Sequence, residues 1–552
     1  MKVSLIFIRV VWVAFFAVLM SGCSNIVYKQ QLAWKPANEK IQRKWLIFFD
    51  GTANDISKDT NIKKLHSLIS LQNNPEVGTL YIEGVGVGLD IIGASTGGGF
   101  ARRVRLGYEF LLKNYHAGDK IYIFGFSRGA YQARALSSML HYVGLPPGPL
   151  GAGQLDKSCD TTAVYKDKKW NVKPRDQEDF VKSLFMEMKD GLFEGDLANC
   201  VAMAQSDLEF KSRQVSVLGL WDTVEALGKP DWTSRLLHKT GLSPHAVNID
   251  ESNARYGDQL LNVDNVFHAV SIDDDREWIF TPLLVSRSHL LQPKANSRSK
   301  LGGTTTISNN TAYVSPPHMP KIHEVFFSGA HSDVGGGYGE SDLSGVSLNW
   351  MIKRLIALDE QQLNVLDAQE LKGDRKLPVA KRLLPADASV REDPYGSSHD
   401  PEAGWWGPLY HFVSRNLAAY AMGNTQACAN SKNSACESDQ TKTRADHEPM
   451  PKFRNTLCMH ETVFERRKAI AVKEHENSLL RLMEPGNICV AADNSQLANP
   501  SVYREVLDFP ATEDTDGKLR CDAASEKVRK PAVPIRITMW NEEKGECGSE
   551  KK

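Results

Sequence analysis

The sequence lacks an excess of charge of either sign. Its 66 lysines and arginines are balanced by 67 aspartates and glutamates, so bulk electrostatics give no reason to expect a nucleic-acid partner. The nine cysteines include no C-x-x-C pair, which argues against a zinc site. Eight of these cysteines follow Cys23, and an even number in an exported protein is compatible with disulfides.

The N-terminal apolar run lacks the length needed to span a bilayer. It extends from Val10 to Met20 and stops at Ser21-Gly22, directly before Cys23, whereas a transmembrane helix needs about 20 apolar residues. A basic start, a short apolar run and small residues indicate an export signal. Small residues before a cysteine also resemble a bacterial lipobox, so we expect lipid attachment at Cys23. An uncleaved membrane anchor is the alternative.

Residues 120–130, KIYIFGFSRGA, predict a nucleophile elbow. Ile121–Phe124 has the pattern of a buried strand, and residues 125–129 fit G-x-S-x-G, followed by apolar residues at helical spacing. In this strand-turn-helix context the motif exposes a serine hydroxyl at a helix N-terminus. Ser127 is therefore the candidate nucleophile, and the Arg128 N–H is a candidate donor to the oxyanion hole. An ordinary strand-to-helix turn is the alternative.

A second predicted strand, Trp45–Phe49, leads into Asp50-Gly51-Thr52. This tripeptide resembles part of the haloacid dehalogenase phosphatase motif, but that motif requires an aspartate nucleophile where this chain has Phe48. We therefore interpret the segment as a loop beside the nucleophile, with the N–H groups of Gly51 and Thr52 as further oxyanion donors. A simple turn is the other interpretation.

Two later strand ends supply the acid and the base of a catalytic triad. Asp222 follows the predicted strand Val215–Trp221, and His331 lies in a glycine-flanked loop after the predicted strand Val325–Phe327. The order Ser, Asp, His is that of α/β-hydrolases. His331 would accept the proton of the nucleophile, and Asp222 would orient the imidazole. A helix cap at Asp222 and an ordinary loop histidine are the alternatives.

Other polar residues are rivals or supports for this site. His460 is the second candidate for the base. Three further residues are expected to contact and orient the catalytic groups without touching the substrate: Asp50, His268 and Asp333. The run of three aspartates at 273–275 matches no calcium loop and is interpreted as a solvated turn.

Four motifs occur in a fixed order: FFDGT at 48–52, GFSRGA at 125–130, WDTV at 221–224 and GAHSDVGGG at 329–337. Together they resemble the catalytic domain of the first family of type VI secretion phospholipase effectors, an α/β-hydrolase group. The resemblance covers about residues 44–360. It implies that Ser127, Asp222 and His331 form the triad, and that the substrates are fatty-acyl esters of membrane phospholipids. The export signal departs from the pattern of effectors that are loaded from the cytoplasm.

The sequence thus predicts a signal peptide at 1–23, a tether at 24–43, an α/β-hydrolase domain at 44–360 and a C-terminal region of uncertain fold at 361–552. That domain is expected to have a mainly parallel sheet with helices on both faces. The predicted protein is a serine ester hydrolase that needs no cofactor, is lipid-anchored in the bacterial envelope and acts on membrane phospholipid. Ser24, rather than an aspartate, follows the cysteine, which resembles the bacterial sorting pattern for the outer membrane, so we expect the periplasmic face of that membrane.

Three alternatives stay open at this point. The first is a secreted effector with a secretion-system or immunity partner. The second is a non-catalytic envelope lipoprotein that reuses the fold for binding. The third is a metal-dependent phosphoesterase with the following five ligands: Asp50, His268, Asp274, His331 and Asp333.

Overall fold

The structure is a computed structural model. It describes residues 28–32, 42–51, 59–84, 100–142, 144–149, 211–224, 260, 262–274, 284, 320–370, 382–399, 456–469 and 487–491, together with short segments at 511–513, 519–520, 528–529, 536–541 and 546–547. Within these residues no helix is long and apolar enough to cross a membrane.

An eleven-stranded sheet forms the centre of the described part of the chain. Its strands lie in the order β1-β3-β2-β4-β5-β6-β7-β8-β9-β13-β14, and β11-β10-β12 form a separate small sheet. The bounds are as follows: β1 Tyr28–Leu32, β2 Lys44–Phe49, β3 Val77–Ile82, β4 Lys120–Phe126, β5 Val215–Trp221, β6 Val263–Ser271, β7 Lys321–Phe327, β8 Thr456–His460, β9 Asn487–Ala491, β10 Ala511–Glu513, β11 Leu519–Arg520, β12 Val528–Arg529, β13 Arg536–Asn541 and β14 Glu546–Cys547.

The pairings from β3 through to β13 are parallel. Antiparallel pairs occur at the two edges, between β1 and β3 and between β13 and β14. The strands β2 and β3 are buried along their whole length, as expected for a parallel sheet that is covered on both faces. The apolar run Trp45–Phe49 is the reason that β2 could be predicted from the sequence, whereas β3, with Gly78 and Thr79 in its sequence, was not predicted.

The helices cover both faces of the sheet. Their bounds are α1 Asn61–Ser70, α2 Phe100–Asn114, α3 Arg128–Tyr142, α4 His331–Gly335, α5 Asp342–Glu370 and α6 Glu461–Ala469. One apolar core holds buried side chains of α2 and α3, and the other holds side chains of α1 and α5. The predicted α/β fold with a mainly parallel sheet is confirmed.

Helix α5 is longer than the sequence pattern indicated. The amphipathic pattern of residues 343–358 predicts a helix over that range, whereas α5 continues to Glu370. Residues 359–370 contain neither glycine nor proline, so nothing in them breaks the helix.

The order in which strands are added to the sheet reverses at β2. Strand β3 pairs with one side of β2 and strand β4 with the other. In open α/β sheets, ligands bind in the crevice outside the carboxyl ends of the strands at such a switch point. The Asp50–Gly51 turn after β2 and the Ser127 turn after β4 both lie at this position.

The sheet continues beyond the predicted catalytic domain. Strand β8 adjoins β7 through the pair Phe326 and Met459, and β9 and β13 follow in parallel. Cys489 in β9 is disulfide-bonded, which fits an exported protein. The domain boundary at residue 360 stays a prediction.

Candidate active site

Ser127 lies in a tight turn between β4 and α3. Its φ angle is 59°, in the left-handed region that non-glycine residues rarely adopt. A Cβ atom on Gly125 would lie 2.4 Å from the carbonyl oxygen of Gly129, and one on Gly129 would lie 2.3 Å from the carbonyl oxygen of Phe49. The two glycines of the motif are therefore sterically required. Strained backbone of this kind concentrates at functional sites.

The turn that follows β5 is also strained. Asp222 has a φ angle of 37° and is fully buried. Its Oδ1 accepts a hydrogen bond from the Ser271 N–H at 3.0 Å, and its Oδ2 lies 2.6 Å from Nδ1 of His331. Each oxygen of this buried carboxylate therefore has a hydrogen-bond partner, and these partners fix its orientation.

His331 begins the short helix α4. Its backbone N–H donates to Oδ2 of Asp274 at 3.0 Å, and its ring packs on Phe126 with centroids 4.7 Å apart. Because Nδ1 contacts Asp222, Nε2 is the nitrogen that would exchange a proton with a nucleophile. Because it packs on Phe126, the His331 ring lies against the residue that directly precedes Ser127.

The Ser127 turn and the Asp222 turn are joined through their backbones. The N–H of Ser127 donates to the Trp221 carbonyl at 2.9 Å, and the N–H of Val224 donates to the Ser127 carbonyl at 3.4 Å. The Ser127 and Asp222 turns therefore lie side by side, and Asp222 contacts His331. Ser127, Asp222 and His331 follow β4, β5 and β7, respectively, and their assignment as a catalytic triad stays a prediction.

Asp50 lies beside the elbow and is buried. Its carboxylate accepts hydrogen bonds from Tyr81 Oη at 2.6 Å, from Thr60 Oγ1 at 2.7 Å and from the Gly51 N–H at 2.7 Å. Burial raises the pKa of Asp50 to about 7, although these three hydrogen bonds act in the opposite direction. Near neutral pH this carboxyl is therefore poised between its charged and neutral forms.

Of the three predicted oxyanion donors, Gly51 and Arg128 lie within the described residues and Thr52 does not. The Gly51 N–H already donates to Asp50, so it would have to change its partner in order to bind an oxyanion. Thr52 lies outside the described residues, as does the predicted lipidation site, Cys23. Arg128 is the first residue of α3, where backbone N–H groups have no acceptor within the helix.

Asp333 closes the turn that carries the candidate base. Its Oδ2 accepts the Ala330 N–H at 3.0 Å, and its Oδ1 lies 2.6 Å from Nδ1 of His399. Burial raises the pKa of Asp333, and the bonds to His399 and Ala330 act against this effect. Asp333 thus joins the glycine-rich loop to the distant segment 382–399. No sequence motif marked His399, and its partnership with Asp333 could not have been predicted.

Asp273 and Asp274, the first two residues of the aspartate run after β6, do not form a solvated turn, and that interpretation was wrong for them; Asp275 lies outside the described residues. Asp274 is buried and accepts the N–H of His331, while Oδ2 of Asp273 accepts the N–H of Gly329 at 2.6 Å. These carboxylates fix the backbone of the His331 loop. The sequence could not reveal this because the loop and the run are more than fifty residues apart.

The rival histidine has different partners. His460 ends β8, and its ring stacks on Phe327 with centroids 4.8 Å apart. Its Nδ1 lies 2.9 Å from Oγ1 of Thr462, whereas Nδ1 of His331 contacts a carboxylate. An imidazole oriented by a carboxylate is the better general base, so the contacts favour His331.

The proposed metal ligands do not form a centre. In the part of the chain that the structure describes, no three histidine, cysteine, aspartate or glutamate side chains are grouped so that they could hold a metal ion. Asp50 bonds to hydroxyl groups, Asp333 to His399, and His268 to Glu324. The five residues named for the metal-dependent alternative thus have other partners or are not grouped as a metal site in the described ranges.

A nucleophile elbow at the switch point of a mainly parallel sheet, with helices on both faces, defines the α/β-hydrolase class. Within this class the chain belongs to the family described as "T6SS, Phospholipase effector Tle1-like, catalytic domain", whose model matches residues 43–354. The resemblance predicted from the four motifs is confirmed. The matched range contains the candidate triad and ends within α5.

The chain is also similar to a curated protein. An uncharacterized protein of Saccharomyces cerevisiae, YEL023C, is 26% identical over 310 residues, which are 52% of this chain and 40% of that protein. The chain thus spans about two fifths of this curated relative.

Solved structures that resemble this chain include an uncharacterized protein from Pseudomonas aeruginosa, with 16% identity, a TM-score of 0.28, and coverage of 56% of this chain and 45% of that one. A Tle1 effector bound to the VgrG spike has 17% identity and a TM-score of 0.25, and the match covers 57% of this chain and 58% of that one. An esterase from Thermogutta terrifontis, bound to propionate, has 12% identity and a TM-score of 0.26, over 61% of this chain and 91% of that one.

Proposed function

We propose that this protein is a serine ester hydrolase that cleaves fatty-acyl esters of membrane phospholipids. The observation that carries the proposal is the buried pair of His331 and Asp222, 2.6 Å apart, beside a serine in a left-handed strand-to-helix turn. A carboxylate at Nδ1 holds the imidazole in the tautomer whose Nε2 accepts a proton. Acyl transfer by a serine requires this tautomer.

In the proposed mechanism, Oγ of Ser127 attacks the ester carbonyl while Nε2 of His331 takes the hydroxyl proton. Asp222 stabilises the resulting imidazolium. When the tetrahedral intermediate collapses, the bond to the glycerol oxygen breaks and His331 returns the proton to that oxygen. Water, activated by the same histidine, then hydrolyses the acyl-enzyme and releases the fatty acid.

The oxyanion would be stabilised by the Arg128 N–H and by a second N–H from the loop that begins at Asp50. A negative charge on Asp50 beside the oxyanion would oppose catalysis, because like charges repel at short range. The raised pKa of Asp50 therefore supports this arrangement, since it makes the neutral carboxyl accessible near pH 7. Gly51 and Thr52 are the proposed sources of the second N–H.

The phospholipid substrate is proposed on the basis of family membership, since the family is described as one of phospholipase effectors. A lipid anchor would hold the enzyme at the surface where its substrate lies. The alternative of a secreted effector with a secretion-system or immunity partner fits the same family and stays a prediction. The non-catalytic alternative would leave a buried acid–histidine pair beside a strained serine without a role.

To test the proposal, the full-length protein is purified in detergent and mixed with vesicles of phosphatidylcholine and phosphatidylethanolamine. We expect release of fatty acid that EDTA does not reduce. We also expect a fluorophosphonate probe to block the activity and to modify one residue, which peptide mass spectrometry identifies as Ser127. An adduct on another residue, or activity lost with EDTA, would contradict the proposed mechanism.

We further propose that Cys23 carries a diacylglyceryl group, because the short apolar run 10–20 ends in Ser21-Gly22-Cys23. Expression in a bacterium with radiolabelled palmitate should label the parent protein, and a Cys23→Ser change should remove the label and shift the protein from membranes to the soluble fraction. A Cys159→Ser change controls for loss of a cysteine elsewhere. Equal labelling of the parent and of Cys23→Ser would refute the anchor.

A further inference from the structure

We propose that His268 and Glu324 form a positioning pair that holds Asp222 in line with His331. This inference deepens the proposed function and rests on it. Both side chains are buried, and they lie on neighbouring strands, where His268 of β6 pairs with Glu324 of β7. Nδ1 of His268 lies 2.8 Å from Oε2 of Glu324. The protein thus has a further acid–histidine pair besides His331–Asp222 and His399–Asp333, and this pair contacts the residue that follows Asp222.

The hydrogen bonds assign the tautomer of His268. The backbone N–H of Thr223 donates to Nε2 of His268 at 3.2 Å, and an N–H group can only donate. Nε2 must therefore be unprotonated, so the proton is on Nδ1 and is donated to Glu324. The Thr223 hydroxyl lies 3.1 Å from the same Nε2. Glu324 thus selects the tautomer that can hold the residue following Asp222.

The Asp222 turn needs such support because its backbone is strained. A non-glycine residue at a φ angle of 37° costs on the order of 1–3 kcal/mol, and it persists only where its surroundings fix it. The Asp222 N–H donates to the Ala269 carbonyl at 2.7 Å, and its carboxylate accepts from Ser271. Three residues of strand β6 therefore hold the Asp222 turn. Ala269 and Ser271 bond to Asp222 itself, and His268 bonds to the next residue, Thr223.

Displacement of Asp222 would have a measurable electrostatic effect. Asp222 and Asp274 face His331, and Glu324 faces His268. If Asp222 moves away from Nδ1 of His331, the imidazolium loses its nearest negative charge, and the pKa of His331 falls. The acid limb of the pH profile of kcat/KM reports this pKa in the free enzyme. A defect that only reduces the amount of folded protein would leave the limb in place.

Two substitutions at one position separate the two contacts of His268. In His268→Gln the side-chain amide reaches the place of Nε2, so its oxygen can still accept from Thr223. In His268→Asn the amide reaches only the place of Nδ1, so the bond to Glu324 can persist while the one to Thr223 is lost. Glu324→Gln is a milder third variant, because a neutral amide no longer selects the tautomer of His268.

We expect His268→Asn to lower kcat by about 10- to 100-fold, the usual effect of losing a group that orients a functional side chain. KM should stay unchanged, and the acid limb of kcat/KM should move to lower pH. His268→Gln should keep kcat and the acid limb of kcat/KM close to those of the parent. Glu324→Gln should move the acid limb to lower pH by a smaller amount than His268→Asn does. Titration with the fluorophosphonate probe corrects each rate for the fraction of active protein.

A spectroscopic readout makes the test independent of turnover. The Nδ1 proton of His331 in its short bond to Asp222 should give a far-downfield proton NMR signal in the parent and in His268→Gln, and this signal should be lost or shifted in His268→Asn. If His268→Asn and His268→Gln both have the parental acid limb of kcat/KM and the parental NMR signal, the positioning role is overturned. If the parent hydrolyses no ester, the proposed function fails, and the NMR comparison still decides whether His268 positions Asp222.

Discussion

Replacing Ser127 by alanine is expected to abolish phospholipid hydrolysis, with kcat reduced by about 10⁴- to 10⁶-fold. The reason is that no other group in the proposed mechanism forms the acyl-enzyme. The residual rate would come from the oxyanion donors and from substrate binding, which do not depend on the hydroxyl. The fold should be retained, because Ser127 contributes backbone rather than side-chain hydrogen bonds to the elbow.

The measurement is fatty-acid release from phospholipid vesicles, together with labelling by the fluorophosphonate probe. Ser127→Ala should show neither, while its circular dichroism spectrum and melting temperature should match those of the parent. Ser67→Ala is the matched control, because it removes an exposed serine on α1 and should keep full activity. A Ser127→Ala protein with parental activity would show that the nucleophile has been assigned wrongly.

The positions of the catalytic candidates could be predicted from the sequence because each one directly follows a strand. Continuous apolar runs such as Ile121–Phe124 and Val215–Trp221 mark buried parallel strands, and the carboxyl ends of such strands meet at one edge of the sheet. The order of Ser127, Asp222 and His331 along the chain then limits their roles. Local pattern and general topology together place these residues at one edge of the sheet, and their catalytic roles stay a prediction.

The groups that support the site could not be predicted in the same way. Asp274, Glu324 and His399 act through partners on other elements, and those partnerships depend on strand register and loop path rather than on local pattern. Charged residues near strand ends usually face solvent, and for this reason Asp273 and Asp274 were misinterpreted. The engagement of the Gly51 N–H by Asp50 is a matter of side-chain conformation, which no sequence motif specifies.

The second large effect is expected from Asp222→Asn, which should lower kcat by about 10⁴-fold near neutral pH. The asparagine oxygen can still accept from the Ser271 N–H, so the turn should stay folded. The amide nitrogen would then face Nδ1 of His331 and donate to it, which forces the imidazole proton onto Nε2. A histidine in this tautomer cannot accept the proton of Ser127, although every atom keeps its place.

The kinetic measurement is kcat and KM over a range of pH, with Asp59→Asn, a substitution of an exposed residue before α1, as the control of the same chemical type. We expect KM to stay near the parental value, because the tautomer affects proton transfer and not the binding of substrate. A loss of less than about tenfold would mean that another carboxylate orients His331. Asp274 already accepts the backbone N–H of His331 at 3.0 Å, so Asp274→Asn would then be the substitution expected to give the larger loss.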